Sequence, residues 1–214
     1  MRLLKFYNFF INYLKHPKMV KRIALLLLSG KIEHYIVRDF AYLLHQKSNG
    51  IFSGVVNVGR ENPKVDLMVI NKNKVVQAFM EFKHIPDKNR FWNEKSTGRD
   101  NVGKLLDDLC EQLRKIGQCI SKGKFEATKQ TEFDISKNAE FAGMIIASYY
   151  AKRIEHDSME DFFKLIIEKA GQKGFRNYSG RGLTLNKVFE NSEVTFAGKR
   201  YHISLRLGLW KVTL

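Results

Sequence analysis

The chain has 214 residues, 44% of them hydrophobic and 28% charged, and its 37 Lys and Arg against 22 Asp and Glu give a formal net charge of +15. This composition excludes a disordered or fibrous chain and is typical of a single globular domain with a sizeable core. The basic excess favours a polyanionic partner, nucleic acid before an acidic membrane surface, although a basic composition also occurs in proteins with no such partner.

The two cysteines, Cys110 and Cys119, are too far apart in a predicted helix to form a disulfide within it. Two free thiols indicate a reducing, cytoplasmic compartment, and the scattered histidines form no zinc-binding pattern with them. The apolar run Ile23 to Leu28 is far below the ~20 residues that span a bilayer, and it does not suit a signal peptide. We therefore expect neither a membrane segment nor secretion.

In chain order, helical periodicity predicts two N-terminal helices, over about residues 3–15 and 19–47, the second ending at Ser48-Asn49-Gly50. Turn-forming residues at 59–63 and 71–74 then separate short β-branched runs. These runs predict an antiparallel meander of three strands, over residues 51–58, 65–70 and 75–84.

A charged loop is predicted over residues 85–103, followed by an amphipathic helix over 104–120. The residues predicted to face inward on this helix are Leu105, Leu109, Leu113 and Ile116. Residues 141–150 form an almost wholly apolar run, typical of a central strand buried on both faces.

The last predicted helix covers residues 158–170, with Ser158 and Asp161 as a capping box and Gly171 as its C-terminal stop. A glycine-rich basic stretch follows. From Tyr201 to Leu207, apolar residues alternate with polar ones, which predicts a strand with one apolar face and one largely basic face.

We interpret residues 1–214 as one α/β domain. Its core spans about residues 31–170, with an N-terminal helical segment over 1–30 and a basic, β-rich C-terminal extension over 171–214. The predicted order within the core is helix, three-stranded meander, helix, strand.

Asp66, Glu81 and Lys83 form the most informative group in the sequence. Residues two apart on a strand share a face, so Glu81 and Lys83 point the same way, and the predicted hairpin brings Asp66 near Glu81. Chance supplies roughly two or three triplets of an acid, any residue and lysine in such a chain, so the triplet alone is weak and its position inside a strand matters more. Two carboxylates suit Mg²⁺, which phosphodiester hydrolysis uses to activate water; a surface ion pair is the alternative.

The motif Pro63-Lys64-Val65-Asp66 followed by Glu81-Phe82-Lys83 resembles the PD-(D/E)XK, restriction-endonuclease-like nuclease superfamily. Pro63 lies three residues before Asp66 rather than next to it, so only the aspartate of the first motif carries over. The resemblance covers about 120 residues and implies a restriction-endonuclease-like core in the predicted element order.

The resemblance also implies roles for individual residues. Asp66, Glu81 and the Phe82 backbone carbonyl would bind Mg²⁺, with Mn²⁺ as a substitute, and Lys83 would orient or deprotonate the attacking water and stabilise the charged phosphate. Family members often add an acidic residue from the preceding helix and a glutamine or charged residue from the following one. Glu33 and Gln112 are the candidates here, and Asp108 lies beside Gln112 on the helix.

The helical periodicity bears on these additional residues separately. Glu33 falls inside the apolar arc of its helix, where an unpaired carboxylate is costly, although it could also reach solvent or cap the helix. Asp39 lies at the edge of that arc and is the second choice. Gln112 borders an apolar stripe, and an exposed amide is the alternative interpretation.

Basic and aromatic residues alternate in two segments, a pattern that suits phosphate contacts and base stacking but also occurs in solvated loops. The candidate nucleic-acid-binding residues in these segments are Lys88, Arg90, Arg99, Lys173, Arg176 and Arg181.

These observations predict an Mg²⁺-dependent endonuclease acting on DNA, of restriction, repair or recombination type, that needs no small-molecule cofactor. The alternatives are a catalytically idle nucleic-acid-binding module on the same fold, an RNA nuclease and an unrelated basic interaction protein. A homodimer is compatible with the sequence but is not specified by it.

Overall fold

The computed structural model describes residues 3–28, 32–47, 52–58, 65–87, 101–118, 120–121, 123–128, 131–153 and 156–212. The helices in these ranges are α1 (Leu3–Leu14), α2 (Pro17–Leu28), α3 (Ile32–Lys47), α4 (Val102–Gln118) and α5 (His156–Gln172). The strands are β1 (Phe52–Val58), β2 (Val65–Asn71), β3 (Val75–Asp87), β4 (Ile120–Ser121), β5 (Lys124–Thr128), β6 (Thr131–Ala151), β7 (Asn186–Phe196) and β8 (Lys199–Val212). The protein is therefore mixed α/β, as predicted.

The N-terminal region contains three helices instead of two. The single helix predicted over residues 19–47 is wrong, because α2 ends at Leu28 and α3 begins at Ile32. In sequence, Ser29 and Gly30 stand between the two helices, and glycine costs about 1 kcal/mol relative to alanine inside a helix. The hydrophobic periodicity continued across this break and concealed it.

The three-stranded meander is confirmed. β1 pairs antiparallel with β2, and β2 pairs antiparallel with β3, with Leu67 opposite Met80. At the β2–β3 turn, the Asn71 side-chain oxygen accepts hydrogen bonds from the backbone amides of Asn73 (3.0 Å) and Val75 (2.9 Å). This Asx turn closes the hairpin in the predicted place. The turn predicted at residues 59–63 lies outside the described residues.

β3 and α4 both extend into the predicted loop. β3 continues to Asp87 and α4 begins at Val102, so the loop predicted over residues 85–103 is wrong at both ends. β3 continues because its residues 83–87 pair with β6. Residues 88–100 lie outside the described residues.

β6 is the central strand of the sheet. Its residues 142–151 are buried, as predicted, but the strand already begins at Thr131. β3 lies parallel to it on one side, and on the other side β5 and then β8 lie antiparallel. The parallel pairing brings the carboxyl ends of β3 and β6 to the same end of the sheet, with α4 between them in the chain.

α4 buries the predicted stripe with one change: Leu106 is fully buried, whereas Leu105 is only half-buried. On α5 the predicted capping box is wrong, because the helix begins at His156 and Ser158 already lies inside it. The predicted boundaries missed the extra turn because His156 and Asp157 carry no apolar periodicity.

The C-terminal stop of α5 is Gly174 rather than Gly171. Gly174 has a φ of 78°, which favours glycine. The Phe175 amide donates to the Ala170 carbonyl (3.0 Å), and the Gly174 amide donates to the Gly171 carbonyl (3.0 Å). These two bonds form a Schellman motif, which satisfies the last helical carbonyls.

Two hydrophobic clusters cover the two faces of the sheet, one beneath α1–α3 and the other beneath α4 and α5. The C-terminal extension belongs to this structure, because β8 pairs with β6 from Phe141 to Ala151. The apolar face of β8 is confirmed, but its polar face is not a free basic surface. Ser204 is buried, and the Arg206 guanidinium lies over the Phe163 ring at 4.3 Å.

Candidate active site

The site residues of the meander lie together as predicted. The β2–β3 register places Asp66 opposite Glu81, and the Asp66 amide donates to Glu81 Oε1 (3.2 Å). Asp66 Oδ2 in turn accepts a hydrogen bond from the Phe82 amide (2.8 Å). The Phe82 ring is buried and packs edge-on against Phe40 of α3. The two carboxylates are therefore fixed by the backbone of the neighbouring strand.

Glu81 is a buried carboxyl group, 2% exposed, among apolar strand residues. Burial, repulsion from Asp66 and a side-chain hydrogen bond with Asp66 together raise the pKa of Glu81 to about 10. A hydrogen bond between two carboxyl groups requires that one of them holds a proton. At neutral pH this pair therefore carries less than its full negative charge, and a bound cation would stabilise its fully ionised form.

Glu33 joins this pair from the opposite layer, as predicted. It lies in the first turn of α3, and its Oε2 accepts a hydrogen bond from the His84 amide on β3 (2.7 Å). Burial raises the pKa of Glu33, and the Asp66 carboxylate adds to this shift, whereas the His84 amide and the Lys83 ammonium oppose it. We call Glu33, Asp66 and Glu81 the carboxylate cluster.

Lys83 lies beside the carboxylate cluster but forms its ion pair with α4. Its Nζ is 3.7 Å from Asp108 Oδ2, and its side chain is 21% exposed against 44% for Asp108. Asp108 is therefore the α4 side chain that reaches the site. Gln112, the residue predicted from α4, is half-buried one helical turn further along the same face.

A polar network runs behind the site through residues that the sequence analysis did not single out. Tyr150 donates to the Leu27 carbonyl (3.2 Å), Ser148 donates to Tyr150 (3.1 Å), and His84 Nε2 lies 2.7 Å from Ser148 Oγ. The Leu27 carbonyl can only accept a hydrogen bond, so Tyr150 donates to it and Ser148 donates to Tyr150. The Ser148 hydrogen is then used, and His84 Nε2 is the donor to Ser148. The network joins β3 to β6 and to the end of α2.

The donor set of the carboxylate cluster consists of oxygen atoms, which suits a hard divalent cation such as Mg²⁺. Among the described residues, no group of three or more His, Cys, Asp and Glu side chains stands in an arrangement that could hold a metal ion. The hydrogen bonds already described account for this spacing, since Glu33 points to a backbone amide while Asp66 and Glu81 bind each other. The chemistry of the donors fits a hard cation.

The predicted nucleic-acid-binding residues differ in their surroundings. Lys173 is half-buried and forms an ion pair with Asp107 of α4. Arg176 and Arg181 are exposed. Lys88, Arg90 and Arg99 lie outside the described residues.

Asp39, the second choice for an acidic helix residue, stands away from these groups. It lies 3.8 Å from a guanidinium nitrogen of Arg22 and 3.8 Å from one of Arg38. Its charge is balanced there by arginine, and Glu33 is the α3 carboxylate that contacts β3.

The chain matches no known protein family, no curated protein and no solved structure. None of the helices in the described ranges has both the length and the apolar character that crossing a bilayer requires.

Proposed function

We propose that this protein is a metal-dependent nuclease of the PD-(D/E)XK type that hydrolyses phosphodiester bonds in DNA. The observation that supports it best is the carboxylate cluster with Lys83 beside it in the middle of β3. Glu81 is buried beside the half-buried Glu33 and Asp66, and a group of acids is costly to bury without a cation. The net charge of +15 supplies the attraction for a polyanionic substrate.

The arrangement of the elements also supports the proposal. α3, the β1–β3 meander, α4 and β6 occur in the order of a restriction-endonuclease-like core, with β4 and β5 inserted between α4 and β6, and β3 and β6 are parallel neighbours. Function depends on the site more than on the fold, so the carboxylate cluster carries more weight than the topology.

In the proposed reaction, Asp66, Glu81 and the Phe82 carbonyl would hold Mg²⁺, and Glu33 would hold it through a neighbouring water or orient that water. The ion would supply a polarised water and neutralise phosphate charge. Lys83 would orient the attacking water and stabilise the negative charge that develops on the phosphate. Asp108 would keep the Lys83 ammonium positioned until the substrate binds.

Incubation of the purified protein with supercoiled plasmid and with oligonucleotides, in Mg²⁺ or in EDTA, tests the proposal. We expect nicked or linear plasmid in Mg²⁺ alone, and no cleavage by the Asp66→Ala variant. Asp39→Ala is the matched control, because it removes an aspartate that is paired with arginine instead. Equal cleavage by wild type and Asp66→Ala would contradict the assignment.

Calorimetry separates metal binding from catalysis. Mg²⁺ or Mn²⁺ should give a binding heat that Asp66→Ala abolishes and that Asp39→Ala retains, because only Asp66 touches the other carboxylates. An unchanged heat in Asp66→Ala would place the metal elsewhere.

One observation favours a catalytically idle nucleic-acid-binding module on the same fold. The carboxylates are bound to one another and to backbone amides, which satisfies them without a cation. DNA binding with neither metal heat nor cleavage would support that module. Cleavage of RNA oligonucleotides alone would support an RNA nuclease.

A further inference from the structure

A second basic surface lies at the same end of the sheet as the carboxyl ends of β3 and β6. It consists of the end of β6 and the tip of the β7–β8 hairpin, and we call it the hairpin patch. All of its members are exposed: Lys152, Arg153, Phe196, Lys199 and Arg200.

The strand register brings these residues together. Phe196 pairs with Lys199 across the hairpin, and Ala151 of β6 pairs with His202 of β8. β8 pairs with both β6 and β7. Lys152 and Arg153, which come directly after β6, therefore lie on the side of the sheet where the hairpin tip is. The hairpin residues of the patch are thus held by strand pairing, whereas Lys152 and Arg153 follow directly after β6.

Charge distinguishes this patch from an ordinary mixed surface. Within the described residues, the ion pair of these four cations is that of Arg200, whose Nε is 3.5 Å from an oxygen of Glu193 on the hairpin. Both side chains of that ion pair are largely exposed, at 71% and 51%, so the pair is weak and open to exchange with a phosphate. Phe196, at 40% exposure, supplies an apolar ring among the cations.

The distance between the patch and the carboxylate cluster follows from the sheet geometry. Lys83 pairs with Ile145, and Ala151 lies six residues further along β6, or roughly 20 Å at about 3.3 Å per residue. Lys152 follows Ala151 at the near edge of the patch, which adds roughly 3 Å, and the one strand spacing from β3 to β6 adds roughly 5 Å sideways. The near edge of the patch is therefore about 24 Å from Lys83, which corresponds to roughly seven base pairs of B-form DNA.

We propose that the hairpin patch binds the sugar–phosphate backbone of DNA that flanks the cleaved bond. The inference rests on the proposed nuclease function and adds a docking surface for the substrate. Lysine and arginine contact phosphates without reading sequence, and an exposed aromatic ring packs against a sugar or an unstacked base. The patch positions the duplex and leaves the chemistry to the carboxylate cluster and Lys83.

An anionic bilayer is the other partner that such a surface could attract. Basic residues alone attract an anionic bilayer weakly, and stable binding of a surface of this kind gains from several apolar side chains beside the cations. The hairpin patch offers one, Phe196, and stands at the end of the sheet that carries the site. DNA therefore suits it better, and vesicle binding becomes an outcome of the test.

The test compares two double charge reversals. Lys199→Glu/Arg200→Glu alters the patch, whereas Lys72→Glu/Lys137→Glu makes the same change in net charge at the opposite end of the sheet, where both lysines are exposed. Binding is measured in EDTA by fluorescence anisotropy, with a labelled duplex of about 20 base pairs that extends past the ~24 Å span on either side. Binding to phosphatidylserine-containing vesicles is measured in parallel.

We expect the patch variant to bind DNA about tenfold or more weakly and to lose about two units from the slope of log affinity against log salt. The control variant should lose less than about threefold. Single-turnover cleavage at saturating DNA should be retained by both. A second patch variant, Lys152→Glu/Arg153→Glu, should behave like the first, which guards against misfolding of the hairpin.

Each other outcome decides against the patch. Equal losses in the patch and control variants would mean that only net charge matters. Loss of vesicle binding with unchanged DNA binding would identify a membrane surface. The proposed function fails independently of this test: a protein that binds DNA through the patch but never cleaves it in Mg²⁺ would refute the nuclease and leave the docking surface standing.

Discussion

Two clusters of charge lie against the same sheet, and they are balanced in opposite ways. In the carboxylate cluster, burial and mutual repulsion raise the pKa of Glu81 to about 10. In the second cluster, on β7, β8 and α5, Arg206 binds Glu160 and lies 2.8 Å from Glu190. Burial there also opposes charge, but hydrogen bonds from Lys187 and Arg206 outweigh it and lower the pKa of Glu190. We call this second group the arginine cluster.

The two clusters differ in where the nearest cation is paired. The arginine cluster pairs each carboxylate with a cation inside the protein. In the carboxylate cluster, the adjacent cation, Lys83, is paired with Asp108 instead. A carboxyl pKa raised by burial and by neighbouring acids is an arrangement that functional sites often share.

The largest effect that would sharpen this comparison is expected at Lys83. Its interaction with the phosphate should grow as charge develops in the transition state, so Lys83→Ala should slow DNA cleavage at least roughly a hundredfold. DNA affinity in Ca²⁺, an ion that generally supports binding without cleavage in PD-(D/E)XK nucleases, should change little. Lys187→Ala is the control, because it removes a lysine of the arginine cluster. Cleavage by Lys83→Ala at the wild-type rate would limit Lys83 to its ion pair with Asp108 and contradict its proposed role.

Arg206→Ala should have the next largest effect, and on stability instead of rate. It leaves two carboxylates without their shared cation and removes the contact with the Phe163 ring. We expect a loss of about 2 kcal/mol in the free energy of unfolding, reduced from the fully buried case because Glu160 is 40% exposed. Urea unfolding measures it. A stable Arg206→Ala protein with slow cleavage would place the arginine cluster in the site.

Glu81→Gln should stabilise the metal-free protein, by about 1–2 kcal/mol near neutral pH. Folded Glu81 keeps its proton up to about pH 10, whereas the unfolded chain releases it near the ordinary value of 4.5. Unfolding therefore releases a proton between these values, and the contribution of Glu81 to stability is greatest below about pH 4.5 and falls as the pH rises. The variant should lack this decline.

Glu190→Gln supplies the matched control with the opposite sign. The lowered pKa of Glu190 contributes stability that is present above its ordinary value of 4.5 and is lost as the pH falls. Glu190→Gln should therefore destabilise the protein at neutral pH and reduce its sensitivity to acid. Thermal unfolding between about pH 4 and pH 9 distinguishes the two variants, because the contributions of Glu81 and Glu190 to stability change in opposite directions with pH. The same sign for both would show that the two clusters are alike.

The sequence predicted the part of this comparison that depends on strand periodicity. Alternation and turn chemistry located the meander and placed Asp66, Glu81 and Lys83 on it, and the apolar arc of α3 singled out Glu33. Asp108 was missed because its partner, Lys83, lies on a separate element, and helical periodicity ranks residues by burial instead of by ion pairing. The α2–α3 break was missed for a related reason: the apolar pattern runs through it.

The arginine cluster could not have been predicted from periodicity. Arg206 was expected on a basic outer face of β8, but α5 covers that face and Glu160 reaches it from a helix far away in the chain. The polar network of His84, Ser148 and Tyr150 was hidden similarly, because Ser148 occupies a position within an apolar run. Such contacts depend on how layers pack, which a single strand pattern does not encode.

The smallest effect is expected when the network of His84, Ser148 and Tyr150 is altered. Its measurement shows whether the network supports the carboxylate cluster or only the fold. Ser148→Ala removes the acceptor for His84 Nε2 and the donor to Tyr150, at a cost of about 1 kcal/mol in stability. If that energy holds the His84 backbone, whose amide binds Glu33, single-turnover cleavage should also fall by up to about fivefold, the equivalent of 1 kcal/mol.

Ser204→Ala is the control, since Ser204 is equally buried and accepts a hydrogen bond from the Asn191 amide (3.0 Å), away from the site. Equal stability losses with a rate change in Ser148→Ala alone would make His84 and Ser148 positioning residues for Glu33; equal rates in both variants would confine the network to the fold.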